Sequence, residues 1–409
     1  MFHERIDRRR LSNAVLIATS LLCAGLSAVM PSTVEACAGC PSFRATLKEE
    51  IDDSAVAVIC RLKARPGPVA AGAVGGGATC TFEVVEVLKG AETLAAQPGA
   101  AMPYQAEIIF FGEQPLGTKF LAFALTPPNL SWNTPMEVKD REIEYLRKLL
   151  ACPPKGPQRL TMFFDYLEAP EPMLAEDAYE EFARARYADL QATKQQMPRE
   201  RLLRWIADVN VLTAHRRQYL SMLSCCALKE DLPTIEAWLR SDERTSRVLL
   251  DALVGCHIAL HGADGVRLIE DLFLKNKEAE LVDVNAAIIA LRFVATETNV
   301  VPQTRINQAF HIVLDRPQLA DVVIPDLTRA QDWSVVPKLT ALFKSAPADG
   351  TLWNRVSIAN YLRVCPTPAA ATAAKELEGL DPEAFRRAEQ LYGRPISAAP
   401  PSESSPAGE

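Results

Sequence analysis

"DREIEYLRKLLACPPKGPQRLTMFFDYLE", residues 140–168, holds the point at which the chain changes its period. Its first twelve residues put apolar side chains at 143, 146, 149 and 150, which is helical spacing. Cys152-Pro153-Pro154-Lys155-Gly156-Pro157 then interrupts any regular element, because proline removes a backbone donor and clashes with the preceding turn. Before this break most of the chain alternates with a period of two. After it the apolar residues recur about every 3.6 positions. The break therefore predicts two regions: a small β-barrel over 37–152 and an all-α region over 158–393.

Upstream, Ser42 to Ile51 has helical spacing, and strands follow. "SAVAVICRL" (54–62) and "ATCTFEVVEVLKG" (78–90) are rich in β-branched residues. The second alternates, with Cys80, Phe82 and Val84 on one side and Thr81, Glu83 and Val85 on the other. Between them "ARPGPVAAGAVGGGA" offers no core-forming side chain. "AEIIFFG" (106–112), "TKFLAFAL" (118–125) and "PMEVK" (135–139) complete a set of five strands, a number that suits a barrel. If the glycine-rich loop joins two antiparallel strands symmetrically, Cys60 and Cys80 share the face of Val58 and Phe82. They are then either a cross-strand disulfide or two buried thiols.

Downstream, amphipathic segments follow one another with short polar breaks, from "QRLTMFFDYLE" (158–168) to "PEAFRRAEQLYG" (382–393). More than ten such helices do not fill one bundle. Pairs of them stack more readily, which predicts a degenerate HEAT-like α-solenoid. Residues 394–409 are mostly Pro, Ser and Ala and predict a disordered tail.

The N-terminus predicts the destination. Arg5, Arg8, Arg9 and Arg10 precede an uncharged, mostly apolar run from Leu11 to Met30, and Val34 and Ala36 occupy the small-residue positions before Cys37. This is the layout of a signal peptide over 1–36, cleaved after Ala36. An uncleaved anchor is the alternative, and the arginines also admit the twin-arginine route. No later segment could span a bilayer, so the mature chain is expected in the periplasm or outside the cell. The net charge of −7 comes without any basic stripe, which speaks against nucleic acid as a partner.

The motifs that could carry chemistry are few. "GEQPLGTK" (112–119) has Thr-Lys where a phosphate loop needs Lys-Thr or Lys-Ser, and it leads into a strand, so it reads as a hairpin turn. His257 and His261 stand four apart on one helix face, a spacing that can grip a metal. Ile258, however, replaces the glutamate of a metalloprotease helix, and Gly262 puts His261 at a helix end favoured by the dipole. Cys37 and Cys40 lack the histidine of a haem site, the βαβ context of a redox centre and the second close pair of a zinc site. They read as a clamp at the mature N-terminus. No cofactor is implied.

In order along the chain, "CAGC", "FRATLKEEIDDSAVAVICRL", "FEVVEVLKG" and "LGTKFLAFA" resemble the netrin-like OB-fold module of the tissue inhibitors of metalloproteinases, over roughly residues 37–125. The family opens with CxC where this chain has CxxC. The resemblance implies an OB-type barrel, and it implies that Cys37, through its α-amino group and carbonyl, could chelate the zinc of a target protease. "RLTMFFDYLEAPEPMLAEDAYEEFARA", "MPRERLLRWIAD" and "LDRPQLADVVIPDLTRAQDWSVVPKL" are similar to a family of exported proteins of planctomycete-type bacteria, which implies HEAT-like helices and points to no particular activity. The expected function is a non-catalytic scaffold of the cell envelope with a protein or peptide partner. The alternatives are metalloprotease inhibition through Cys37, or an enzyme whose Ser, His and Asp meet in space without leaving a motif.

Overall fold

A computed structural model of the chain describes residues 44–66, 79–98, 103–125, 127, 129–346 and 354–393. The leader expected over 1–36, Cys37 and Cys40, most of the glycine-rich loop and the tail 394–409 lie outside the described residues.

Helix α1 (Leu47–Asp53) starts with a capping box: Thr46 accepts from the Glu49 amide while Glu49 accepts from the Thr46 amide. The sheet follows, with β1 (Val56–Ala64), β2 (Thr79–Lys89), β3 (Gln105–Ile109), β4 (Lys119–Leu125), β5 (Ser131–Trp132) and β6 (Met136–Glu137). Neighbours run β3-β2-β1-β4-β5, with β6 also on β4, and every pairing is antiparallel. The result is a nearly closed, barrel-like sheet. A short helix, α2 (Ala91–Ala95), follows β2. Its entry needs Gly90, at φ +79°, because a Cβ there would lie 2.1 Å from the Ala55 carbonyl oxygen.

Strand β1 is buried on both faces. Val56, Val58, Cys60 and Leu62 face the barrel interior with Phe82, Phe110 and Phe120, whose rings meet edge to face at 5.1–5.7 Å. Ala57 and Ile59 face the other way. They join Leu121, Phe123 and the apolar side of α3 (Asp140–Ala151) in the core that continues through the helices. The unbroken apolar run "VAVIC" has this cause: both of its faces are covered.

Of the two alternatives for Cys60 and Cys80, the structure has the buried thiols and not the disulfide. Bulges in β1–β2 shift the register so that Cys60 faces Val84, while Cys80 pairs with Ile108 of β3. Four residues of strand separate Val84 from Cys80, roughly 13 Å, where a disulfide needs Cα atoms within about 7 Å. Cys60 Sγ donates instead to the Phe120 carbonyl and Cys80 Sγ to that of Phe110, each at 3.6 Å. Burial pushes the Cys60 pKa up to about 12, so a thiol-alkylating reagent is expected to reach Cys60 only after unfolding. Peptide mapping without reductant checks this: two separately alkylated peptides are expected, and a linked Cys60–Cys80 peptide would contradict the register.

One expectation is corrected, at residues 112–119. They do not make a hairpin, because β3 pairs with β2 and β4 with β1. The segment crosses the barrel end, tied to the end of β1 by Gly117 N–H to Leu62 O and by Arg65 to the Gly112 carbonyl.

Beyond α3 the described residues contain helices and no strand: α4 (Pro157–Thr161), α5 (Pro172–Ala183), α6 (Tyr187–Ala192), α7 (Arg199–Ala207), α8 (Thr213–Cys226), α9 (Leu232–Arg240), α10 (Arg244–Arg247), α11 (Leu250–His261) and α12 (Gly265–Ile269). They continue with α13 (Leu281–Glu297), α14 (Gln303–Val313), α15 (Pro317–Arg329), α16 (Val336–Ser345), α17 (Asn354–Val364), α18 (Pro368–Leu380) and α19 (Pro382–Tyr392). One row runs α8, α11, α13, α15, α17, α19, each helix packed on the next. Helices α7, α9, α14, α16 and α18 pack against members of that row. Helix α11 lies in the row, with α8 on one side, α13 on the other and α9 against it, so Leu250, Val254, Cys256, His257 and Ile258 are all buried and it lacks a polar face. No described helix is long and apolar enough to cross a membrane.

Polar contacts fasten the sheet end to the first helices. Asp177 of α5 accepts from the Leu47 amide at 2.7 Å and from the Tyr145 hydroxyl, joining α1, α3 and α5. Arg159 of α4 pairs with Glu181 of α5, and both side chains are buried.

Candidate functional site

Four histidines lie among the described residues, and they fall into two kinds. His215 Nδ1 is 2.9 Å from Glu168 Oε1, which also accepts from the Tyr219 hydroxyl at 2.7 Å. The ring stacks on Tyr179 at 4.3 Å. His311 Nε2 is 2.7 Å from Asp332 Oδ2, and Ser334 Oγ donates to the other oxygen at 2.6 Å. Ser, His and Asp do meet here in space. The connectivity, however, is not that of a nucleophile relay, which needs the histidine between acid and hydroxyl. Asp332 is the hub and both partners donate into it; Glu168 is a hub of the same kind. Each cluster ties a helix to a connecting segment, α8 to the turn at Glu168 and α14 to Asp332 ahead of α16.

His257 and His261 are the second kind. His257 is wholly buried on α11, and neither ring nitrogen makes a well-formed hydrogen bond; the Gly265 backbone is the polar group beside it. Burial pushes its pKa down to about 4, against the opposing pull of Glu236 and the Gly265 backbone, with His261 adding to the fall, so the ring is neutral near pH 7. His261 is the exposed last residue of α11, and Gly262 at φ +68° ends the helix. The two rings stand 5.4 Å apart at 79°. Helix α9, packed beside α11, brings Glu236 to the same place, so that donor atoms of Glu236, His257 and His261 all lie within 4.8 Å of one another. Gly265 closes the far side: a Cβ there would stand 3.0 Å from His261 Cβ and 3.3 Å from His257 Nε2. Among the described residues this is the group able to gather around one ion.

The histidine spacing was visible in the sequence and Glu236 was not. Its register signal was local: Ile235 and Leu239 are the buried residues of α9, which leaves Glu236 at the edge of the packed face. Only the packing of α9 on α11 turns that edge towards the histidines.

Two of the helical thiols are quiet. Burial pushes Cys226 up to about 12 and Cys256 higher still, where neither is a nucleophile. Cys37 and Cys40 lie outside the described residues. An open groove of about 610 Å³ lies between α16 and α18. Its walls are small side chains, among them Ala341, Ala369, Thr372 and Ala373, and the Lys344–Glu376 ion pair bridges the two helices.

No family model matches the chain, and no curated protein does.

Proposed function

We infer that the protein is an exported, non-catalytic interaction protein of the cell envelope, in which a HEAT-like stack of helices binds a protein or peptide partner and an OB-type, netrin-like barrel caps its N-terminal end. The observation that carries the reading is the open groove between α16 and α18. A peptide needs a long, shallow surface with room for side chains, and small residues on both walls leave that room. The packing of alternate helices in a row supports the solenoid reading. The strand order, with β1 between β2 and β4, supports the OB-type reading. The leader-like residues 1–36 carry the export reading. Metalloprotease inhibition through Cys37 remains the alternative function for the barrel end.

Filling the groove tests the reading. Ala341 and Thr372 are exposed on facing helices, so tryptophans at both sites should leave the core intact. Immobilised full mature chain is expected to retain a defined partner from an envelope extract, with at least about tenfold less retained by the Ala341→Trp/Thr372→Trp variant, a loss of about 1.4 kcal/mol. Equal retention by both proteins would remove the groove from the account.

A further inference from the structure

Burying an imidazole whose nitrogens are not both well hydrogen-bonded has a cost, since water would have satisfied both. This protein gives carboxylate partners to His215 and His311, but not to His257, its most buried histidine. The same ring stands one helical turn from a second imidazole and within reach of a carboxylate from the neighbouring helix. We propose that Glu236, His257 and His261 bind a divalent transition ion of the zinc type through two imidazole nitrogens and one carboxylate oxygen.

The donor set selects the class of ion. Two nitrogens and one oxygen suit a borderline cation, whereas calcium and magnesium seek six or more oxygens. Histidines four apart on a helix are a spacing that zinc accepts, and three protein donors leave a position for water. That position falls on the side of the exposed His261. Zinc–nitrogen and zinc–oxygen bonds are about 2.0–2.2 Å, so the donors must close from within 4.8 Å to roughly 3.4 Å of one another. His257 is fixed by its packing, and the movement falls to Glu236 and His261. Both are free to make it: His261 is exposed, and the Glu236 side chain is 33% exposed with Arg240 at 4.0 Å. An ion also offsets the charge of Glu236.

The test titrates the full mature chain with Zn²⁺ by calorimetry and with Co²⁺ by visible absorbance, which reports the ligand field directly. One equivalent is expected to bind, and Mg²⁺ is expected not to compete. His261→Ala and Glu236→Gln change exposed or half-exposed positions, so both should fold; each is expected to weaken Zn²⁺ by on the order of 100-fold and to abolish the Co²⁺ band. A Cys225→Ser/Cys226→Ser variant should bind as the unaltered chain does. Binding that survives His261→Ala and Glu236→Gln, or that is lost with the cysteines, would overturn the site. So would the absence of binding at millimolar Zn²⁺.

Discussion

Replacing Arg159 with methionine is expected to lower the unfolding free energy by about 3–5 kcal/mol. The side chains of Arg159 and Glu181 are 8% and 9% exposed. Nε donates to Glu181 Oε2 at 2.8 Å, Nη2 donates to the other oxygen, and Nη1 reaches the Pro153 carbonyl at 3.3 Å. The guanidinium also lies over the Phe163 ring, 5.4 Å from its centroid. Without Arg159 a carboxylate stays behind in a water-poor site, and the turn at Pro153 loses its anchor. Most of the loss is the cost of the orphaned charge rather than the worth of the pair. The double variant Arg159→Met/Glu181→Leu should therefore recover most of the stability, because two apolar side chains of similar size can fill the same space. Urea denaturation of the two variants decides the point. Equal losses in single and double variants would contradict it.

A pH-dependent difference of about 3 kcal/mol is expected from Asp177→Asn. Burial raises the Asp177 pKa to about 6, against the opposing pull of the bonds from Tyr145 and the Leu47 amide. Its ordinary value is 3.8. The folded state thus holds a proton that the unfolded chain gives up between about pH 4 and pH 6. The group's contribution is fully present below pH 4, falls as pH rises through about 6 and is flat above. Asparagine keeps an acceptor for the Leu47 amide and has nothing to ionise. The variant should gain on the unaltered chain as pH rises from 4 to 7, whatever fixed offset the substitution brings. Paired denaturation curves across that range measure the difference directly. A difference that is flat in pH would show that Asp177 is ionised in the fold throughout.

The elements of this fold were legible because burial is strongly patterned. Cys80, Phe82 and Val84 alternate because one side of β2 faces the barrel interior, and α3 shows its apolar stripe because one face meets the core. The pairing was less legible. Three irregularities in β1–β2 shift the register, and nothing in "SAVAVICRL" or "ATCTFEVVEVLKG" marks them, so a symmetrical loop put Cys60 opposite the wrong residue. The glycines of 112–119 mark a change of direction but not which strands it joins. Similarly, His257 and His261 could be seen as a pair, while the state of the pair could not. The burial of one ring and the approach of Glu236 depend on α9 and α13 packing about α11, which is a property of the assembled helices.

The location of binding is the central claim, and crosslinking in the living cell addresses it. A photo-crosslinking side chain at Thr372, in the groove, is compared with one at Val85, on the exposed face of the sheet. Crosslinks to a defined protein at Thr372 and none at Val85 are the predicted result. Crosslinks at Val85 alone would move the binding surface to the barrel and contradict the assignment of function to the helices.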